Sequence, residues 1–231
     1  MLSIPASITR AFGQLGDPAI LKVLVKTIAI TLVILAIAGA LAWQGALWAF
    51  ASYDIPYGEQ LGGVLGVLAF LIGGWLLFRL IALAVLQFFA DEIVQAVEVK
   101  HYPDAAEHVR SLPWSEELSN ALGGLGRAVL ANLAALPFAA FLLFTGIGTA
   151  LVFWAVNAWL LGRELQDMVW LRHRASADEP PPLGTASRFL LGGAIAGMMF
   201  VPFLNLLAPI IGAAAATHMV HRSRLPAKGR I

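Results

Sequence analysis

Cysteine is absent from the 231 residues, which excludes disulfides, thiolate metal sites and cysteine nucleophiles. Charge is scarce: Asp, Glu, Lys and Arg together make up 13% of the chain, roughly half of what a soluble domain of this size carries. A water-soluble globular fold is therefore excluded. Enzyme signatures are missing as well. The chain contains no H-E-x-x-H, no G-x-S-x-G, no G-x-x-x-x-G-K and no paired aspartates within an apolar run. No catalytic residue, no metal and no cofactor is expected. Gly123-Gly124-Leu125-Gly126 follows no strand pattern, which argues against a nucleotide site, and no basic face supports nucleic-acid binding.

What the chain has in abundance is apolar sequence. Hydrophobic residues make up 59% of it and the mean hydropathy is +0.80. Four runs almost free of charge (residues 27–51, 61–90, 128–162 and 189–217) each exceed the roughly 20 residues that a spanning helix needs. An integral, multi-pass membrane protein with the lipid bilayer as its surroundings follows. The opening "MLSIPASITRAFGQLGDP" has no short apolar run followed by a small-residue cleavage site, so no removed signal peptide is expected. The net charge of +1 says little; where the charges fall says more.

The whole of residues 1–231 reads as a single membrane domain. Ile4, Ile8, Ala11, Phe12 and Leu15 recur at helical spacing, with Arg10 and Gln14 elsewhere on the wheel. This predicts an amphipathic helix over residues 3–16, lying on the membrane surface and ended by Gly16-Asp17-Pro18. Two long helices follow, at residues 23–51 and 61–100, joined by the acidic loop "ASYDIPYGEQ". Ala90, Ile93, Val94 and Val97 keep one face of the second helix apolar as it leaves the bilayer and runs to Pro103. Asp104 and Glu107 have capping-box spacing, and Ser115 opens a further helix expected to loosen at Gly123-Gly124-Leu125-Gly126. Residues 222–231 form a basic tail.

Residues 128–162 would reach about 50 Å as one helix, against a hydrocarbon core about 30 Å thick. Their middle reads "LFTGIG", where Thr145, Gly146 and Gly148 suit a turn. Residues 189–217 are interrupted by "VPFLN", with Pro202, Asn205 and Pro209 close together; each proline lacks an N–H and disrupts the helix around it. Charge chooses between two single crossings and two hairpins. Of the fifteen Lys and Arg, none lies in residues 51–60 and only Arg79 lies inside a span. If residues 128–162 and 189–217 both turn back, all the other bases fall on one side, as basic residues near span ends do in the cytoplasm. The expected fold is all-α: two long transmembrane helices, two re-entrant half-membrane hairpins and short amphipathic helices. Both termini would be cytoplasmic, in the cell inner membrane.

"FTGIGTALVFWAVNAWLLGRELQD" and "VPFLNLLAPIIGAAAATHM" resemble the CysZ-like sulfate transporter family, which shares its domain with the eukaryotic etoposide-induced membrane proteins. The family shows a P-G-I-G hairpin tip, an A-W pair on the next helix and an I-P-x-L-N-L-x-x-x-P segment ending in G-A-x-x-M. "FFADEIVQAVEVKHYP" sits where the family's second helix leaves the membrane. The resemblance runs from about Ala11 to Arg222. It implies the same two-span, two-hairpin fold, a sulfate or related small-anion substrate, and a homo-oligomer.

One departure bears on the substrate. Sulfate-transporting relatives carry P-G-L/I-R-R at the mouth of the first span; here it reads "PAILK", from Pro18 to Lys22. Ala19 removes the freedom of a glycine. Leu21 removes a planar guanidinium fork that a lysine does not replace. Thr145 also stands where the family has its tip proline.

The anion-binding candidates are therefore Pro18, Lys22, Lys26 and Arg79, the last because an arginine inside a span faces a partner or a wet cavity. His218 and His221 stand at i and i+3 with no carboxylate near in sequence, an incomplete metal set that reads as a surface pair. His101, Glu107 and His108 could converge, and ordinary exposed positions explain them equally well; Arg163, Glu164 and Asp167 read as a solvated helix face with i,i+4 pairing. Asn132, Asn157 and Thr145 suit helix–helix hydrogen bonds. Two functions fit: a transporter or channel for sulfate or a related small anion, and a non-transporting membrane scaffold or assembly factor of the same fold.

Overall fold

A computed structural model describes residues 3–52, 90–176, 178–201 and 204–224. The chain divides into two compact units, Leu21–Phe89 and Met1–Ile20 with Ala90–Ile231. Among the described residues all regular structure is helical, and three helices are long and apolar enough to cross a membrane. These are α2, α5 and α8, at Pro18–Ser52, Trp114–Phe141 and Leu204–Arg224.

The smaller unit is described through the body of α2, which runs unbroken to Ser52. Pro18 opens α2, where its missing N–H costs no helix bond. Val25, Ile28, Leu32, Val33, Ile37 and Leu41 are exposed along it. Water would penalise such a surface at about 25 cal/mol per Å²; lipid does not.

The larger unit is built around α8. Its run Gly212-Ala213-Ala214-Ala215-Ala216-Thr217 is wholly buried, because small side chains let neighbours approach from every direction. Around it pack α1 (Ile4–Gln14), α3 (Ala90–His101), α6 (Gly148–Trp170) and α7 (Thr185–Met198). A short α4, Pro103–Glu107, follows α3. In α3 the expected apolar face, Ala90, Ile93, Val94 and Val97, is buried, and Glu98 is buried with it. In α1 the line most deeply buried is Ser7, Ala11 and Gln14. Gln14 was placed off the apolar face by its wheel position, yet it points into the protein because α8 offers it a hydrogen-bonding partner there.

Burial separates the apolar helices. In α8, 78% of the apolar window is buried inside the protein, but in α5 only 11% is. α5 exposes Leu122, Leu125, Val129, Leu130, Leu133, Leu136, Phe138 and Phe141. It stays helical through Gly123-Gly124-Leu125-Gly126, where a loosening was expected. The glycines instead make room: a Cβ on Gly123 would lie 3.3 Å from the Arg127 guanidinium.

α6 and α7 meet backbone to backbone. A Cβ on Gly162 would fall 1.9 Å from the carbonyl oxygen of Arg188, and one on Gly192 would fall 2.0 Å from that of Ala158. Trp154 donates its indole N–H to the Gly193 carbonyl at 3.0 Å. These pairings run in opposite directions along the two helices, so α6 and α7 are antiparallel. The turn before α6 and the break after α7 therefore lie at one end of the unit, and the charged ends at the other.

Both turns at the first end are apolar. After α5 the chain tightens into a 3-10 turn, Leu142–Thr145, and reverses at Gly146, whose φ of +74° is in the left-handed region. Phe144 is 95% exposed there, and Leu143 and Ile147 are exposed beside it. Thr145 donates its hydroxyl to the Leu142 carbonyl at 2.7 Å and accepts the Gly148 N–H at 2.8 Å. Thr149 donates to the Ala139 carbonyl at 2.8 Å, tying the start of α6 to the end of α5. The second break, after α7, exposes Phe200 and Val201.

The α6–α7 contact leaves no room for a methyl group. Gly192→Ala is expected to destabilise by about 1–3 kcal/mol, a fall in Tm of roughly 5 °C. Gly126→Ala, with nothing within 4 Å of the new Cβ, is expected to leave Tm level or raise it. Thermal unfolding followed by tryptophan fluorescence in detergent compares the two.

Candidate functional site

At the charged end of the larger unit lies a cavity of about 910 Å³, at the upper end of the range for small-molecule sites. Five arginines line it: Arg110, Arg127, Arg163, Arg172 and Arg174. They come from four places in the chain. Arg110 lies before α5, Arg127 within it, Arg163 in the last turns of α6, and Arg172 and Arg174 in the turn that ends α6. Packing of α5 on α6 brings them together.

Some of this charge is held by acids. Glu116, in the first turn of α5, accepts from Arg110 at 2.8 Å and also from Arg174. Arg163 lies 3.4 Å from Asp167. The Arg110 N–H donates to the Arg172 carbonyl at 2.9 Å, which fastens the segment before α5 to the turn after α6. Arg174 also lies over the Trp170 ring, 5.6 Å from its centroid.

Much donor capacity is left over. Asn120 Nδ2, Trp170 Nε1, Arg172 Nη1 and Arg174 Nε are buried, have no hydrogen-bond partner in the protein, and belong to residues that line this cavity. All four are donors. Each unmet buried donor costs about 1–3 kcal/mol, and an oxyanion, which is acceptor only, meets several at once. Glu164 opposes it. This carboxylate is reached from the cavity, yet the surrounding protein desolvates it and raises its pKa, while Arg127 pulls the other way and Asp167 adds to the rise.

Opposite this wall is a second polar cluster, around α8. The expected surface pair His218 and His221 is buried, at 1% and 7% exposure. His218 Nδ1 lies 2.9 Å from the Tyr102 hydroxyl, and its Nε2 lies 2.9 Å from Gln14 Nε2, which in turn reaches His101 at 2.7 Å. His221 and His173 both contact Glu98, whose nearest sequence neighbour among them is far away in the chain. Distance in sequence is why the pair looked carboxylate-free. His108 and Glu107 remain exposed, with His108 Nδ1 against the Asp104 carbonyl.

Of the anion candidates read from sequence, Pro18 opens α2, and Lys22 and Lys26 are exposed one and two turns further on. Neither lysine lines the arginine cavity. Arg79 and Pro202 lie outside the described residues. Thr145, Gly146 and Gly148 form the turn between α5 and α6. Asn205 sits in the first turn of α8, its N–H donating to the Val201 carbonyl, and Pro209 lies inside that helix. Asp104 is not a cap, because α4 starts at Pro103 with Tyr102 before it. Asn132 and Asn157 donate to carbonyls one turn back in their own helices, Ala128 and Phe153, where helix–helix bonds were expected. Arg163 and Asp167 pair as their spacing implied. The cavity arginines themselves carried no local signal, since only tertiary packing unites them.

The family model described as sulfate transporter CysZ/etoposide-induced protein 2.4 matches residues 7–209. No curated protein and no solved structure matches the chain.

Glu164 gives the cavity a pH dependence with a definite sign. Protonating a carboxyl whose pKa is raised removes a negative charge from the wall earlier in a fall of pH than an ordinary carboxylate would. Sulfate binding, measured by isothermal titration calorimetry, is expected to tighten over that fall. Glu164→Gln is expected to bind more tightly at neutral pH and to lose most of the dependence.

Proposed function

The chain belongs to the sulfate transporter CysZ/etoposide-induced protein 2.4 family, and from that premise we propose that it moves sulfate or a closely related small oxyanion across the inner membrane. The observation that carries this reading is the set of four buried donors without a protein partner on residues that line the arginine cavity. A tetrahedral oxyanion offers acceptors in several directions, which suits donors arriving from α5, α6 and the turn beyond. The acids in the wall keep the hold weak. Transport requires that, because a site must release what it takes.

The altered first-span mouth shapes the proposal. With "PAILK" in place of a segment bearing two arginines, the first-span mouth lacks the guanidinium forks that grip an oxyanion, and the larger unit has them in its cavity. Radiolabelled sulfate uptake into proteoliposomes tests this. Saturable uptake is expected, with Arg172→Gln and Arg174→Gln each lowering it about 10-fold or more, the scale of one lost charge-assisted bond of about 1.5–3 kcal/mol. No uptake above empty liposomes by folded, inserted protein would favour the non-transporting scaffold.

The two helical reversals are the re-entrant hairpins of this proposal. Three features support it. Their turns expose Phe144, Ile147, Phe200 and Val201, residues that suit lipid. The polar groups of the first turn are bonded within it, as a bilayer demands. The antiparallel α6–α7 pair also sets both turns at one end and the arginines at the other. Both termini are then cytoplasmic. The chain has no native cysteine, so Ser176→Cys is a clean reporter; an impermeant thiol reagent is expected to label it only after the membrane is opened. Labelling from the outside of intact cells would reject the topology.

A further inference from the structure

Four of the five histidines belong to the polar cluster around α8, His101 at its exposed edge, and three ligand groups in it converge as no ion pair requires. Glu98 Oε1 lies 2.8 Å from His173 Nε2 and 2.9 Å from His221 Nε2. One ligand atom from each residue lies within 4.8 Å of the other two. We propose that Glu98, His173 and His221 form a structural divalent-metal site that takes zinc, which ties α3, the turn after α6 and α8 together.

The geometry favours a cation over a simple hydrogen-bonded triad. Both imidazoles crowd one carboxylate oxygen, while Glu98 Oε2 is buried and has no partner in the protein. Glu98 itself is 0% exposed, so water does not meet that oxygen's need from outside. A cation among the three side chains uses both: two imidazole nitrogens and a carboxylate able to bind through two oxygens. Zinc bonds of about 2.0–2.2 Å set neighbouring ligand atoms roughly 3.3 Å apart, which lies between the present Glu98–histidine contacts and the 4.8 Å that bounds the cluster.

The rings are held ready. Tyr102 stacks on His221 with centroids 4.7 Å apart and planes 28° apart, and His173 meets His221 edge-on at 4.9 Å. Arg224 donates to the His173 carbonyl at 2.8 Å. The donor set decides the metal class. Two imidazoles and one carboxylate suit zinc and its first-row neighbours, whereas calcium and magnesium take oxygen ligands. Near-complete burial marks the site as structural, with no open position for substrate.

Metal here has a consequence for the cavity, because His173 lies between Arg172 and Arg174. An ion on His173 pins the turn that presents both arginines.

The test uses the full-length protein purified on a tag without histidine. Metal analysis and zinc titration are expected to give one zinc per chain, and added zinc is expected to raise Tm in a concentration-dependent way. Glu98→Gln and His221→Gln are each expected to weaken zinc binding about 100-fold or more, beyond what supporting residues give. His108→Gln, at the exposed fifth histidine, is expected to bind as wild type. Should the ligand variants fail to fold, Co²⁺ added to wild type decides alone. Intense visible d–d bands of a four- or five-coordinate N,O site are expected. No zinc on folded wild type, unchanged binding in Glu98→Gln, or only the weak spectrum of octahedral Co²⁺ would each overturn the proposal.

Discussion

Where Gly162 meets the carbonyl of Arg188 and Gly192 meets that of Ala158, two helices touch with no side chain between them. Contact this close has a physical reason. Lipid is as apolar as leucine, so helices in a bilayer gain little from merely burying apolar surface, and packing of small residues takes over. Because the contact fixes α6 against α7 along several turns, it aligns everything attached to them. It sets both chain reversals at one end. It also places Arg163, the residue after Gly162, at the level where α5 and the turn after α6 close around a cavity. A methyl group at either glycine would spread α6 from α7, and the arginines with them.

The polar end is organised by a second constraint, the cost of taking charge out of water. The turn after α6 meets it twice, in alternation. Arg172 and Arg174 line the cavity, and His173 between them turns the other way to Glu98. Glu98 in turn takes His221 from α8. A single short segment thus serves both the donor-rich wall and the histidine cluster, so the position of one set of groups bears on the other.

What sequence reasoning reached and what it did not divides along the range of the interactions. Length and apolar runs were enough for a helical membrane protein, and Gly16-Asp17-Pro18 marked the boundary between α1 and α2 because glycine and proline act locally. "LFTGIG" marked the turn before α6 for the same reason: Gly146 is needed at positive φ. Gly123-Gly124-Leu125-Gly126 misled because glycine was read only as flexibility, when its missing side chain accommodates Arg127. His218 and His221 misled because α8 has no polar face. Whether its histidines are wet or buried depends on α1, α3 and the turn after α6, all remote in sequence. The cavity was illegible for that reason too: its arginines look like ordinary loop bases until α5 packs on α6.

The two ends of the larger unit treat backbone and side-chain polarity in opposite ways, and the contrast bears on function. At the apolar turn, Thr145 and Thr149 meet the Leu142 and Ala139 carbonyls and the Gly148 N–H within the protein itself. At the charged end four buried donors go unmet by protein. A fold able to satisfy its polar groups at an apolar turn has the means to satisfy them at the charged end. Glu116 shows as much, holding two arginines with one carboxylate. The donors that stay unpaired are therefore a feature of the cavity, and under the proposed function their common sign favours an acceptor-only ligand. Asp167 and Glu164 then limit how tightly it is held, the condition under which a binding site serves as a step on a path.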